Sequence, residues 1–319
     1  MHEITKEYSR VRGFNFQPDW GATGVTVWQK FDPVRYRELI QAGKEAFPGI
    51  NTLRIWLSFD AWCEDKKLFL SNVRTAMDII TSSGLACIPT YFNGWSSIPN
   101  FGGFAASILK HISKRDYEPY RTYLRESMEA TKKGNILIHD ISNEPFNSVV
   151  KNPPWIEVVI NFLKAMAEEA RETDDRPITV GSQGFALNEE RTYYDIDALA
   201  GFTDVISIHP YKVGDPQGEG ENRLIKLLEL VDKYKKPVII TECIWGSEDE
   251  KGHVETIKQD LAVFNKYNIG FLAHALCTSP VADLHPLRGK DALTCLGIYM
   301  AFLDEDLNIR KGHEVFNNY

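Results

Sequence analysis

Asn135-Ile-Leu-Ile-His-Asp-Ile-Ser142 runs straight into Asn143-Glu144-Pro145, and two further stretches, Val205-Ile-Ser-Ile-His-Pro210 and Pro237-Val-Ile-Ile-Thr-Glu242, share its character. Each is short, almost continuously apolar, and ends in polar or charged side chains. A strand with one wet face alternates apolar and polar residues, whereas one covered on both faces, as in a parallel sheet, does not. Runs of the same kind lie at Val11 to Phe16, Ile50 to Leu57, Leu85 to Tyr91, Pro177 to Ser182 and Ile269 to Leu276. With Asn135 to Ser142, Asp204 to His209 and Pro237 to Glu242 they make eight candidate strands.

The segments between them carry helical periodicity. Asp32 followed by Pro33 supplies a cap and a first turn for a helix to about Phe47. Further helices are expected near Leu68 to Ser82, Asp116 to Lys132, Pro154 to Thr173, Arg223 to Tyr234, Glu250 to Tyr267 and Asp291 to Leu303, with a short, weak one at Ile196 to Phe202. Strict alternation of strand and helix implies a parallel sheet with right-handed crossovers, and eight units favour closure into a (β/α)8 TIM barrel of the α/β class. The chain has 319 residues, a length that such barrels fill as one domain, so residues 1–319 are read as a single domain. A doubly wound open sheet is the runner-up, but the first strand, Arg12-Gly-Phe-Asn-Phe16, lacks the GxGxxG turn of dinucleotide binding.

Charge and composition remove several functions. With 36 basic against 44 acidic side chains the net charge is −8 and there is no basic run, which argues against a nucleic-acid partner. No stretch approaches the roughly 18 apolar residues of a membrane span, and Met1 to Arg12 is polar where a secretory leader would be apolar. The expectation is no membrane partner and a cytoplasmic enzyme, secreted only if a leader has been removed. The five cysteines are scattered with no CxxC pair and are read as reduced thiols; Cys243 and Cys277 fall at strand ends, within reach of a site.

In a barrel, catalytic residues belong at the C-terminal ends of strands. Two strands end there in glutamate, Glu144 on the fourth and Glu242 on the seventh. A carboxylate at the end of an apolar strand is costly unless it is used. A single one reads as a cap or an ion pair, but two on strands three apart face each other across the mouth. That pairing suits acid/base plus nucleophile chemistry at a sugar carbon. The long third and eighth loops, Phe92 to Arg115 and Cys277 to Lys290, are expected to wall the cleft. Eight histidines and many carboxylates raise a metal-dependent barrel hydrolase as an alternative, but there is no early HxH, and His139, His209 and His274 stand singly. No metal or other cofactor is therefore expected. A non-catalytic carbohydrate-binding barrel is a further alternative, disfavoured because both glutamates are present.

Over nearly its whole length the chain resembles the clan A glycoside hydrolases, most nearly family 5. The likeness rests on Arg12-Gly13-Phe14-Asn15 in the opening strand, Arg54 on the second, Asn143-Glu144-Pro145, His209-Pro210-Tyr211 ending the sixth, and Glu242. It implies a retaining β-glycosidase acting on glucan- or mannan-type oligosaccharides or glycosides. Glu242 would be the nucleophile, kept ionised by Arg54 and Tyr211, and Glu144 the acid/base, keeping its proton through burial and the nearby negative charge. Asn143 would bind the sugar 2-hydroxyl, with His209 in support. Asn15, Trp56, Asn93, Trp95 and Trp245 are candidate substrate contacts, because flat rings pack on pyranose faces. Trp20, Trp28, Trp62 and Trp155 are expected to pack beneath loops. The chain departs from the family pattern at Tyr91 and Asn93, where a histidine is usual. Another departure is the eighth strand, Gly270-Phe-Leu-Ala-His274-Ala-Leu276, which sets His274 at the usual position of a sugar-stacking tryptophan.

Overall fold

The computed structural model describes residues 3–21, 23–94, 112, 116–146, 153–182, 196–247, 249–279 and 300–319. All eight expected strands form, as β1 (Arg12–Asn15), β2 (Thr52–Trp56), β3 (Ala86–Asn93), β4 (His139–Asn143), β5 (Ile178–Ser182), β6 (Ile206–Ile208), β7 (Val238–Cys243) and β8 (Phe271–His274). They pair in sequence order, all parallel, and β8 closes on β1. The sheet is therefore the closed (β/α)8 barrel.

Helices α1 (Gly24–Gln29), α2 (Pro33–Ala46), α3 (Phe59–Glu64), α4 (Lys66–Ser82), α5 (Glu118–Thr131), α6 (Pro153–Thr173), α7 (Glu219–Asp232) and α8 (Glu250–Lys266) lie between the strands. The Asp32 side chain caps α2 by accepting from the backbone N–H groups of Val34 and Arg35, and Pro33 opens the helix. The weak crossover between β5 and β6 includes a helical stretch at 196–200 that buries Ile196, Leu199 and Ala200. The helix expected over Asp291 to Leu303 falls mostly outside the described residues, and its tail is not helical. Leu303 instead bridges Cys277 in parallel and Ile309 antiparallel, since a short apolar run at a chain end serves an extended pairing as well as a helix face. No described helix is long and apolar enough to cross a membrane.

The apolar core divides into layers. Most of it lies between strands and helices. A separate cluster of Ile88, Ile138, Val205, Ile239 and Leu272 with Tyr8 and Val11 occupies the N-terminal end of the strands. The C-terminal end is left for polar groups. Trp28 is buried, and Trp20, Trp62 and Trp155 are partly buried against the core, as expected for packing residues.

Candidate active site

Arg54 is the centre of the polar layer. It projects from β2 and its side chain is 0% exposed, so each donor needs a partner. Nε and Nη2 donate to Asp140 Oδ2 at 3.0 and 2.8 Å. Nη1 donates to Asn15 Oδ1 at 2.9 Å and Glu242 Oε2 at 3.0 Å, and Nη2 also to Asn143 Oδ1 at 2.8 Å. One guanidinium thus ties β1, β4 and β7 to β2. Gly181 on β5 leaves it space: a Cβ there would sit 3.0 Å from His209 Nε2 and 3.1 Å from Arg54 Nη2.

Glu242 ends β7 with both oxygens engaged, Oε2 by Arg54 and Oε1 by the Tyr211 hydroxyl, which donates to it. Burial pushes its carboxyl up, but the His209 and His274 rings, the Arg54 guanidinium and the Tyr211 hydroxyl outweigh that and bring it down to about 2. Glu242 is held as an anion. Glu144 sits just past β4 with φ +43°, its N–H donating to the Gly181 carbonyl at 2.8 Å. His209 Nδ1 lies 2.9 Å from Glu144 Oε1 and its Nε2 3.0 Å from Thr241 Oγ1. Carboxylate oxygens of Glu144 and Glu242 approach within 4.8 Å.

The structure gathers most of the expected site residues at one mouth. Asn143 bridges Arg54 and Asn93, its Nδ2 donating to Asn93 Oδ1 at 3.0 Å. Trp56 carries Arg54 over its ring at 4.7 Å and meets His274 edge-on at 6.1 Å. His274 pairs with Asn15 in the β1–β8 register, and its buried Nδ1 has no partner among the described residues. Burial pushes its imidazole below the usual range, reinforced by Arg54 and His209 and opposed by Glu242. Trp245 meets the Tyr211 ring edge-on at 5.1 Å. Trp95 and most of the third and eighth loops lie outside the described residues.

Two expectations need correction. Asn15 has no surface for a sugar: it is fully buried, accepting from Arg54 while its Nδ2 donates to the Thr241 carbonyl at 2.9 Å. Cys243 and Cys277 do not line the mouth either; both are free thiols sealed in the core.

One residue was missed. Asp140 pairs with Arg54 and also accepts from Thr90 Oγ1 at 2.9 Å and the Gly181 N–H at 3.0 Å. The signal was available, because an arginine inside a barrel demands a buried counter-charge and Asp140 is a charge set within a barrel strand.

Glu144, His209 and Glu242 also form a cluster from which a cation site could be assembled. The chemistry of the set does not fit a cation. Glu242 Oε2 already accepts from a guanidinium 3.0 Å away, and both nitrogens of His209 are engaged.

Residues 13–279 match the sequence family described as cellulase (glycosyl hydrolase family 5). No curated protein matches. Among solved structures, the exo-beta-1,4-mannosidase Op5Man5 from Opitutaceae bacterium strain TAV5 superposes with a TM-score of 0.72 at 18% identity, covering 96% of this chain. The chain spans 58% of that mannosidase's length. A variant of GH5_18 from Streptomyces cattleya in complex with Manb1-4GlcNAc gives 0.71 at 14% identity, covering 96% of this chain and 79% of that one. GH5_18 from Bifidobacterium longum subsp. longum ATCC 55813 gives 0.69 at 16%, covering 96% and 77%. At these identities the superpositions establish a shared barrel, while the family match spans most of the chain and every strand but the first residue of β1. The chain belongs to glycoside hydrolase family 5.

Proposed function

We propose that the protein is a retaining β-glycosidase of short β-linked oligosaccharides or glycosides, with Glu242 as nucleophile and Glu144 as acid/base. The observation that carries the reading is that an oxygen of each carboxylate lies within 4.8 Å of one on the other, close enough for the retaining arrangement. Retaining enzymes hold theirs at about 5 to 5.5 Å, whereas inverting enzymes need roughly 6.5 to 9.5 Å to admit a water.

Glu242 attacks the anomeric carbon as the bond to the leaving oxygen breaks, and Glu144 gives that oxygen its proton. His209 suits this role: with Nε2 accepting from the Thr241 hydroxyl, Nδ1–H donates to Glu144 Oε1 and Oε2 carries the transferred proton. Once Glu242 is bound to the sugar its charge is gone. Glu144, now a carboxylate, takes a proton from water, whose oxygen displaces Glu242 with a second inversion. Asn143 has a second amide N–H to offer the sugar 2-hydroxyl, a contact that strengthens as oxocarbenium character develops. Arg54, fixed by Asp140, and Tyr211 keep Glu242 ionised and aimed before substrate arrives, so little reorganisation is left for the reaction.

A terminal manno-configured sugar is the first substrate to test, supported by the mannosidase and the Manb1-4GlcNAc complex among the similar structures; gluco-configured glycosides are the second. The experiment is proton NMR of the first-formed sugar from aryl β-mannosides and β-glucosides. The β-anomer is expected first, and an α-anomer formed first overturns the mechanism.

A further inference from the structure

The Tyr211 hydroxyl is the only hydroxyl seen on Glu242 among the described residues, yet Tyr211 stands in a loop rather than on a strand. Its position depends on what fixes that loop. Lys212, next along, adopts a left-handed φ of +58°, a conformation that a side-chain-bearing residue holds only where its surroundings impose it. The Gly214 N–H donates to Asp260 Oδ1 at 2.9 Å, and the backbone N–H groups of Lys212 and Val213 act on that carboxyl to lower it. The turn lies directly on α8: a Cβ at Gly214 would come within 2.3 Å of the Gln259 backbone.

Asp260 itself is out of place on stability grounds. It is 1% exposed on the buried face of α8, and its Oδ2 has no hydrogen-bond partner among the described residues. No cation pairs with it among the described residues. Asp215 on the same loop is a like charge, and the Cys243 thiol behind it is buried and neutral, pushed well above its usual range by that burial. A lone buried carboxyl of this kind lowers stability and marks a position kept for something else.

We propose that Asp260 is a positioning residue: by accepting from the Gly214 N–H it anchors the 212–214 turn on α8 and holds the Tyr211 hydroxyl on Glu242. The inference rests on Glu242 being the nucleophile. Without the anchor the turn loosens, Tyr211 no longer donates steadily, and Glu242 becomes easier to protonate, so the acid limb of the pH profile moves to higher pH.

The test is a double-mutant cycle of Asp260→Ala and Tyr211→Phe, with hydrogen exchange of the 211–214 amides measured alongside. Asp260→Ala is expected to lower kcat for an aryl β-glycoside by about tenfold with KM little changed, to shift the acid limb upward as Tyr211→Phe does, and to speed exchange of those amides. The double variant should be no worse than the more damaged single one. Asp260→Asn, which keeps the acceptor, should restore exchange protection and the wild-type acid limb. Asp260→Ser, too short to reach Gly214, carries the same expectations should the alanine variant fail to fold. Additive losses, or fast exchange with an unmoved acid limb, overturn the proposal. Exchange needs no substrate, so a wild-type protein inactive on every β-glycoside would remove the proposed function and leave the anchor tested on its own.

Discussion

Two carboxylates of one chemical type sit in different surroundings. Glu242 lies against Arg54 and Tyr211, and Glu144 against the His209 ring. Replacing Glu144 by Ala should abolish the basic limb of the kcat/KM profile and cost far more on natural oligosaccharides than on aryl glycosides, whose leaving groups need little protonation. Equal losses on both would show that Glu144 is not the acid. His274 is a second residue-scale test. An imidazole edge-on to Trp56 offers less stacking area than an indole but brings a nitrogen, Nδ1, with no partner among the described residues. His274→Ala should lower kcat/KM by about tenfold, about 1.4 kcal/mol of transition-state binding, with the melting temperature little changed; unaltered kinetics would return it to a packing role. Sequence alone located these groups because charged and aromatic residues at the ends of apolar strands stand out. It misjudged Asn15, since an amide at a strand end reads the same whether it faces the sugar or, as here, braces Arg54 from behind.

At the scale of elements, the strands were legible because both faces are covered and the apolar runs are unbroken. The loops were not, because what fixes them is backbone geometry. Glu144, Lys212 and Ile244 all adopt positive φ, at 43°, 58° and 67°, each at or just beyond the end of a strand that presents a site residue. For a β-branched residue such as Ile244 this is a true outlier, and strain of about 1 to 3 kcal/mol per such residue is sustained only where neighbours enforce it. Asp260 is one such neighbour, and its ionisation has a sign that can be measured. Burial pushes its carboxyl up to about 7, against the backbone N–H groups that lower it. Between its unfolded value of about 3.9 and 7, the folded chain binds a proton that the unfolded chain has released, so stability falls as pH rises through that window. Asp260→Asn, neutral throughout, should therefore melt higher than wild type at about pH 8 and alike near about pH 3.5. Identical melting at the higher pH would mean that Asp260 is not a buried, proton-binding carboxyl.

For the whole molecule, the site exists only when the barrel is closed. Arg54 and Glu242 are 188 residues apart in sequence, and Arg54 and Asp140 are 86 apart. The polar layer sits at one end of the strands and the apolar cluster around Ile88 and Ile239 at the other, so one parallel sheet supplies both a rigid base and a charged mouth. The sequence pattern revealed part of that division, since the fourth, sixth and seventh runs are rich in apolar residues and end in polar or charged ones. Asp140 was passed over because the need for it is read only from Arg54, which stands on another strand 86 residues away. The central claim is that Glu242 becomes covalently bound to the sugar. A 2-deoxy-2-fluoro β-mannoside or β-glucoside with an activated leaving group tests it most directly: the fluorine destabilises both oxocarbenium-like transition states, the leaving group rescues only the first, and the glycosyl-enzyme accumulates. Mass spectrometry of the digested protein should find the label on the peptide containing Glu242, with activity lost in step; label on any other carboxylate, or inactivation without label, would contradict the account.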